Sequence, residues 1–323
     1  MNLINQSVEY LGPAPVSESD ALAFIERAGR TCYKSEGKIT EDSRYKFYKM
    51  LVSRTHTAMI EHSNICIAFG PEFDLNLLHA RPFKHIYGDA RTFFREFHKD
   101  GVYYLASNVR GWLEALRYSN KSYICPFLKQ NYPTMFESIE DWGRDTDVKE
   151  KVLANMSIVD LETQKELNLQ GADLSMFCFV VTTDRGVTHE AVRNRSQSFA
   201  QESTRWVNYA SEAGLQAGIS FIDPTTFFEA SEETKSMVEE HFERCEKVYN
   251  ELMKSGWKTN FARCVLPNGL KADIVISGRL SGWSNFFKLR CNPKAHPQMV
   301  EVAVKMREHL VLDEGYNFTE DGE

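Results

Sequence analysis

The chain has 323 residues, 42% of them apolar and 26% charged, with a formal net charge of −7. That composition suits a globular fold with a sizeable buried core and argues against broad nucleic-acid binding, which needs a basic face. No apolar run reaches the ~18 residues that would suggest a membrane span, and the first residues, MNLINQSVEYLG, lack the basic flank and apolar core of a secretory signal. Seven cysteines, Cys32, Cys66, Cys125, Cys178, Cys245, Cys264 and Cys291, are widely spaced with no C-x-x-C. They read as reduced, mostly buried thiols of a cytoplasmic protein, not as a disulfide frame or a zinc site. His189-Glu190 begins an H-E-x-x-H pattern, but Arg193 stands where the second histidine is needed, so no metal site is expected. There is no G-x-G-x-x-G and no Walker loop, and a nucleotide would have to be held another way.

In chain order, residues 18–31 predict an amphipathic helix, with Leu22, Ile25 and Ala28 near helical spacing and Ser17 or Ser19 as its cap. A second helical run starts at Thr40, acidic first and basic last, as the helix dipole favours. Residues 64–69 predict a strand, preceded by a junction that carries His56, Glu61 and His62; a structural role for such a cluster is weighed beside a site. Residues 70–172 alternate short helical patterns, such as 109–116, with polar turns and read as an insertion or accessory subdomain. The acidic stretch DWGRDTDVKEKV within it reads as a solvated face. Residues 174–183, LSMFCFVVTT, predict a buried strand, broken at Asp184-Arg185-Gly186 and followed by a helix that ends near Arg193 and Arg195. Residues 230–255 predict the longest helix, with Met237, His241, Val248 and Leu252 on its buried face and Gly256 as its stop. A short helix before Pro267, a strand over LKADIVISGRL and a helix over SGWSNFFKLR, capped by Ser281, come next. A last helix follows NPKAHPQM, and the tail DEGYNFTEDGE is expected to be loosely ordered.

The stretch that stands out is RNRSQSFAQESTRW, residues 193–206. Three arginines against Glu202 make a local positive cluster in an acidic chain, which suits a small anion. The guanidinium fork binds phosphate at two points and keeps its charge in a poorly hydrated site. A solvated helix end with scattered charge is the alternative reading. Arg263, Arg279 and Arg290 are further cations that convergence in the fold would bring to the same place; a cation at a helix C-terminus equally explains Arg290.

These residues resemble the flavin-dependent thymidylate synthases, whose signature is R-H-R, seven residues and Ser. Here Arg193 and Arg195 bracket Asn194, and Ser203 closes the motif after seven residues. The flanking DRGVTHEAV and VNY extend the likeness, as do IERAGRTCYKSEGKITEDS, THTAMIEH and ARCVLPNGLKADIVI through FFKLR and AHPQM. The likeness covers roughly residues 20–69, 174–210 and 258–305. It implies an α+β fold, with a mixed or antiparallel sheet flanked by helices, as one catalytic domain over residues 1–323 with the insertion at 70–172. It also implies a homotetramer with sites between subunits. The reaction implied is reductive methylation of dUMP to dTMP, with FAD as cofactor and methylenetetrahydrofolate and NADPH as co-substrates.

Carried over residue by residue, the resemblance places Arg193, Asn194, Arg195 and Gln201 at the flavin, with His56, Asn285 and His296 in its pocket. Arg279 and Ser281 stand where the family has an asparagine and an arginine, and they are expected beside the cofactor. Glu190, Arg193, Gln201, Glu202, Ser203, Thr204, Arg205 and Arg263 match positions that hold dUMP. Arg290 matches the arginine that contacts and polarises the uracil, so it is the expected catalytic residue; no nucleophile is required of Ser203. Asn194 replaces the motif histidine: it can donate a hydrogen bond but cannot titrate. Trp206 replaces a tyrosine. Two alternatives stay open at this point: a relative that methylates another pyrimidine nucleotide, such as dCMP, at C5, and a non-catalytic flavin- or nucleotide-binding protein on the same scaffold.

Overall fold

A computed structural model describes residues 1–73, 93–118, 124–139, 150, 152–211 and 218–318. The acidic stretch 141–152 lies almost wholly outside them. The chain opens with strands β1 (Asn2–Ile4) and β2 (Ser7–Pro13), followed by helices α1 (Glu18–Tyr33) and α2 (Ser43–Ser53). Strands β3 (Ile65–Phe69), β4 (Arg95–Lys99) and β5 (Val102–Ser107) come next, then helices α3 (Val109–Tyr118) and α4 (Ile124–Asn131), strand β6 (Met156–Ile158) and helix α5 (Leu161–Leu169). Then follow β7 (Met176–Asp184), α6 (Arg185–Ala191), β8 (Gln197–Gln201), β9 (Ser220–Ile222), α7 (Glu232–Lys254) and α8 (Thr259–Ala262). The chain closes with β10 (Lys271–Arg279), α9 (Leu280–Arg290) and α10 (Pro297–Leu312). This is an α and β architecture of antiparallel sheets flanked by helices, with one parallel pair, β1 with β9. No helix among the described residues is long and apolar enough to cross a membrane.

The sheet that carries the arginine-rich stretch has the order β2-β7-β10-β8, antiparallel throughout. The unbroken apolar run of β7 has a physical cause: both faces of the strand are covered. Phe177, Phe179 and Val181 point to one side, where Ile274, Ile276, Trp283, Phe286, Met299 and Met306 of β10, α9 and α10 meet them. Cys178 and Val180 point to the other side and pack with Ala28 and Cys32 of α1, Ala200 and Val275. Strand β8 lies at the edge of the sheet, and the motif that resembles the family's signature runs into and out of it.

A second sheet has the order β4-β5-β3-β6. Strand β3 pairs with β5 on one side and β6 on the other, so it is extended by strands of the 70–172 segment. The described part of that segment shares a core with α1 and α2: Leu22, Ile25, Tyr48 and Leu51 pack in one cluster with Ile67, Phe69, Trp112, Leu116 and Phe136. The Tyr48 hydroxyl donates to the Met135 carbonyl (2.9 Å), and Glu18 accepts from the amides of Thr134 (2.7 Å) and Met135 (2.9 Å). The described part of the segment is therefore packed into the fold through a common hydrophobic core.

Several expectations about the elements are corrected. Helix α2 starts at Ser43, not Thr40, because the Ser43 hydroxyl accepts from the Thr40 amide (2.8 Å) and holds a turn there. No loop separates β7 from α6: Asp184 ends the strand and caps the helix by accepting from the Val187 amide (2.7 Å). That helix stops at Ala191, and β8, which the residue pattern did not predict, begins six residues later inside the arginine-rich stretch. The buried face of α7 is Phe242, Cys245 and Tyr249; Met237 is 63% exposed and His241 exposed, because the aromatic residues, not the methionine, reach the small core at Phe221 and Leu270. The cap position of α9 is Arg279, and Ser281 lies inside the helix. The first part of the tail packs onto the fold through Tyr316, which is 5% exposed and edge-on against Phe177, and residues 319–323 lie outside the described residues.

Candidate functional site

Two cavities flank the edge strand β8. One, of about 440 Å³, is lined by Arg193, Asn194, Arg195, Ser196, Asn285, Phe286, Leu289 and Arg290. The other, of about 410 Å³, is lined by Cys32, Tyr33, Thr55, His56, Thr57, Ala58, Met59, Arg110, Gln201, Ser203 and Trp206. Phe286 belongs to the core on the α9 side of the sheet and Cys32 to the core on the α1 side, so the two cavities open on opposite faces. Eight of the residues expected at a ligand are thus gathered: five in the arginine cavity and three in the histidine cavity.

In the arginine cavity, Arg193 and Arg195 are exposed and form no ion pair with a described residue. Asn194 between them is buried, and its side chain is turned inward. Its amide nitrogen lies 3.2 Å from Gln197 Oε1 and 3.4 Å from the Gly282 carbonyl, and its oxygen accepts from the Ser196 hydroxyl (2.9 Å). Asn194 therefore shapes the turn that presents the two arginines. Arg290, in the last turn of α9, is fixed at two points by one residue: Nη1 donates to Glu190 Oε2 (3.1 Å) and Nη2 to the Glu190 carbonyl (2.8 Å). This fork geometry holds the guanidinium plane at a set angle to the cavity.

Gly282 is where α9 meets the turn. A Cβ there would stand 3.1 Å from the Ser196 carbonyl and 3.2 Å from its hydroxyl. Gly282→Val is expected to destabilise the protein by about 1–3 kcal/mol by overpacking this contact. Urea unfolding measures it; an unchanged midpoint would show that the turn yields freely.

In the histidine cavity, the Tyr33 hydroxyl lies 2.8 Å from His56 Nδ1 and the two rings are nearly parallel, 24° apart. Trp206 is 62% exposed at the opposite lip, with the Arg205 guanidinium 5.9 Å from its ring centroid. Ser203 is placed by the backbone, its amide donating to the Cys32 carbonyl (3.0 Å). Thr204 and Arg263 meet behind it at 3.4 Å, and the Arg205 carbonyl accepts from the Thr259 hydroxyl (2.7 Å). Thr204, Arg205 and Arg263 therefore form a shoulder beside this cavity.

Four expected residues stand elsewhere. Glu202 is 1% exposed, and its carboxylate is engaged by Lys271 (2.8 Å), the Tyr209 hydroxyl (2.7 Å) and the Asp273 amide (3.2 Å). Arg279 is 5% exposed and donates inward to the Leu174 carbonyl (2.6 Å) and Asn64 Oδ1 (2.9 Å), so it does not stand in for a cavity-facing arginine. Ser281 donates its hydroxyl to Asp173 Oδ2 (2.6 Å) at a separate cavity on the α9 N-terminal side. His296 immediately precedes α10 and lines neither cavity.

At the His56–His62 junction the three residues divide. His56 reaches the cavity. His62 is buried, with Nδ1 2.7 Å from the Ser277 hydroxyl, and burial pushes its imidazole down to about 3. Glu61 bonds inward to Ser198 and Arg110. Tyr33, Met59 and Arg110 were not named from the sequence as site residues. Tyr33 lay in a segment that carries the resemblance, whereas Arg110 reads as an ordinary helical surface residue.

Comparison with known proteins points to one family. Residues 171–312 match the family described as thymidylate synthase complementing protein. The chain is similar to the flavin-dependent thymidylate synthase of Geobacter sulfurreducens, 29% identical over 122 residues, which are 38% of this chain and 50% of that protein. The enzyme of that name from Pyrococcus abyssi is 31% identical over 133 residues, covering 40% of this chain and 52% of the relative. That from Saccharolobus solfataricus is 30% identical over 126 residues, covering 39% and 45%. The chain spans about half the length of the curated relatives it matches. The matched region contains β7, β8, β10 and α9, and with them the whole arginine cavity. Across residues 171–312, this chain resembles the flavin-dependent thymidylate synthase family.

Proposed function

We propose that the protein is a flavin-dependent thymidylate synthase, which methylates dUMP reductively to dTMP with FAD, methylenetetrahydrofolate and NADPH. The observation that carries this reading is the arginine cavity. It gathers three guanidiniums, and only Arg290 has a described carboxylate partner. A chain without a Gly-rich phosphate loop needs such a donor set for FAD and a nucleotide, which bring several phosphate charges between them. Arg193, Arg195 and Asn285 would hold the flavin nucleotide, with His56 on the far side of β8 and Gln201 at the end of that strand, its side chain donating to the Thr188 hydroxyl of α6 (2.7 Å). Bound FAD supplies the redox chemistry, and the chain supplies placement and field.

Arg290, fixed by Glu190, would lie against the pyrimidine and stabilise negative charge on the ring. Ser203, Thr204, Arg205 and Arg263 lie at the cavity on the opposite face of the sheet, and they would take the phosphate of a nucleotide whose ring lies against Arg290 of a neighbouring subunit. Glu202 acts in this reading as support: its buried carboxylate anchors the loop from which Ser203 and Arg205 project. A homotetramer with sites between subunits accords with the exposed apolar side chains beside the cavities, Leu289 at 56% and Trp206 at 62%. Purified protein incubated with dUMP, methylenetetrahydrofolate, NADPH and FAD is expected to form dTMP, and omission of any one to prevent it. A protein that neither holds nor binds flavin would overturn the reading. Methylation of dCMP in place of dUMP would move the assignment to another pyrimidine nucleotide.

A further inference from the structure

Arg110 lies outside the residues that match the family, yet it lines the histidine cavity. Its guanidinium ties α3 to the 56–62 turn at Glu61, which itself is bonded to β8. Nη1 donates to Glu61 Oε1 (2.5 Å) and Nε to Glu114 (2.7 Å), while the second oxygen of Glu61 accepts from the Ser198 hydroxyl on β8 (2.7 Å). Glu61 is thus held at both oxygens, by the 70–172 segment on one side and by the edge strand on the other. The rest of α3 is docked on the same turn. The Val109 amide donates to the Ser63 hydroxyl (3.1 Å), which itself donates to the Ile60 carbonyl (2.7 Å), and the Trp112 indole donates to the Ile65 carbonyl (3.1 Å). The turn held in this way contains His56, Thr57, Ala58 and Met59, four of the cavity's wall residues.

We propose that Arg110 is a positioning residue: through Glu61 it sets the 56–62 turn, and so the placement of His56, for the ligand of this cavity. Helix α3, which belongs to the 70–172 segment, is then part of the binding site through Arg110. The proposal rests on the reading of this cavity as part of the flavin site. A guanidinium suits the role because it can hold two carboxylates at fixed angles at once, which an ammonium cannot do with the same geometry. A site is only as well placed as the residues that support it. Glu114, at the outer side of the fork, does not line the cavity, and among the described residues its carboxylate is bonded by Arg110 alone, so it provides a control.

The test uses the full chain, with FAD as the probe. Arg110→Gln is expected to weaken FAD binding by about tenfold or more, the scale of loss that follows small misplacements within a site. Arg110→Lys should recover part of that loss, and Glu114→Gln should stay within about twofold of the parent, as for an ion pair that solvent still screens. In ligand-free protein the imidazole NMR signals of His56 should move in Arg110→Gln and not in Glu114→Gln. Parental FAD affinity together with unmoved His56 signals in Arg110→Gln would overturn the proposal. If Arg110→Gln does not fold, Ser198→Ala takes its place, because it releases the other oxygen of Glu61. Weaker FAD binding and shifted His56 signals in that variant would support the positioning role, and parental values of both would overturn it. A parent protein that binds no FAD would refute the flavin reading instead, and the His56 signals would then decide the positioning role by themselves.

Discussion

Arg290→Ala is expected to abolish most dTMP formation while flavin stays bound. Arg290 is the only cation of its cavity with a described carboxylate partner, and Glu190 holds it by side chain and carbonyl together. A donor preorganised in this way is worth most where charge develops during reaction; removal of one such donor costs about 10²–10³ in kcat. In the proposed function Arg193 and Arg195 hold the cofactor, so flavin absorbance should persist in the purified variant. The side chain is only partly buried and sits in the last turn of α9, and its loss should leave the core intact. Arg290→Lys keeps the charge but loses the two-point hold on Glu190, and it should recover little activity. Turnover within a few-fold of the parent enzyme would remove Arg290 from its assigned role.

Glu202→Ala should have the largest effect on stability. The carboxylate is fully buried, 2.8 Å from Lys271 and 3.7 Å from Lys34, and it also takes the Tyr209 hydroxyl and the Asp273 amide. Lys271 and Lys34 bond Asp273 as well, so two ammonium groups face two carboxylates under the loop of Ser203 to Arg205. Loss of one member leaves a buried charge uncompensated, which costs about 3–5 kcal/mol. Glu202→Gln, which can still accept from the Asp273 amide, should cost less. Urea unfolding would measure both, and a Glu202→Ala midpoint equal to that of the parent would refute the role given to the cluster.

The same cluster predicts an acid transition. Burial pushes the Asp273 carboxyl up, but the Lys271 charge and the hydrogen bond and charge of Lys34 outweigh it and bring it down to about 2 from 3.8. The folded value lies below the unfolded one. Asp273 therefore contributes stability that is complete above pH ~4 and is lost as the pH falls towards ~2. Asp273→Asn should flatten the unfolding midpoint across that window; an unaltered acid limb would count against this account.

The elements with strong local signals were legible in the sequence. Strand β7 was visible as an unbroken apolar run, and α1 as an amphipathic period with a Ser17 cap that the structure shows accepting from the Asp20 amide. Gly256, in the left-handed region at φ +87°, stops α7 as expected. Strand β8 was missed because its sequence, QSFAQ, has no strong strand signature; pairing with β10 along one side makes it a strand. Likewise the true face of α7 depends on where Phe221 and Leu270 wait for Phe242, which helical spacing does not reveal.

By itself, the sequence determined the chemistry on offer: a cluster of arginines after a buried strand, no phosphate loop, and segments that resemble one family. Those features are local, set by residue type and spacing along the chain. Only the tertiary structure decided where each cation points. Arg193, Arg195 and Arg290 line one cavity, Arg205 and Arg263 lie beside another, and Arg279 is spent inside the core on Asn64 and Leu174, 215 and 105 residues away. The physical reason is that a guanidinium goes to the acceptors that folding brings within reach. Those acceptors come from distant parts of the chain, as Glu61 does for Arg110.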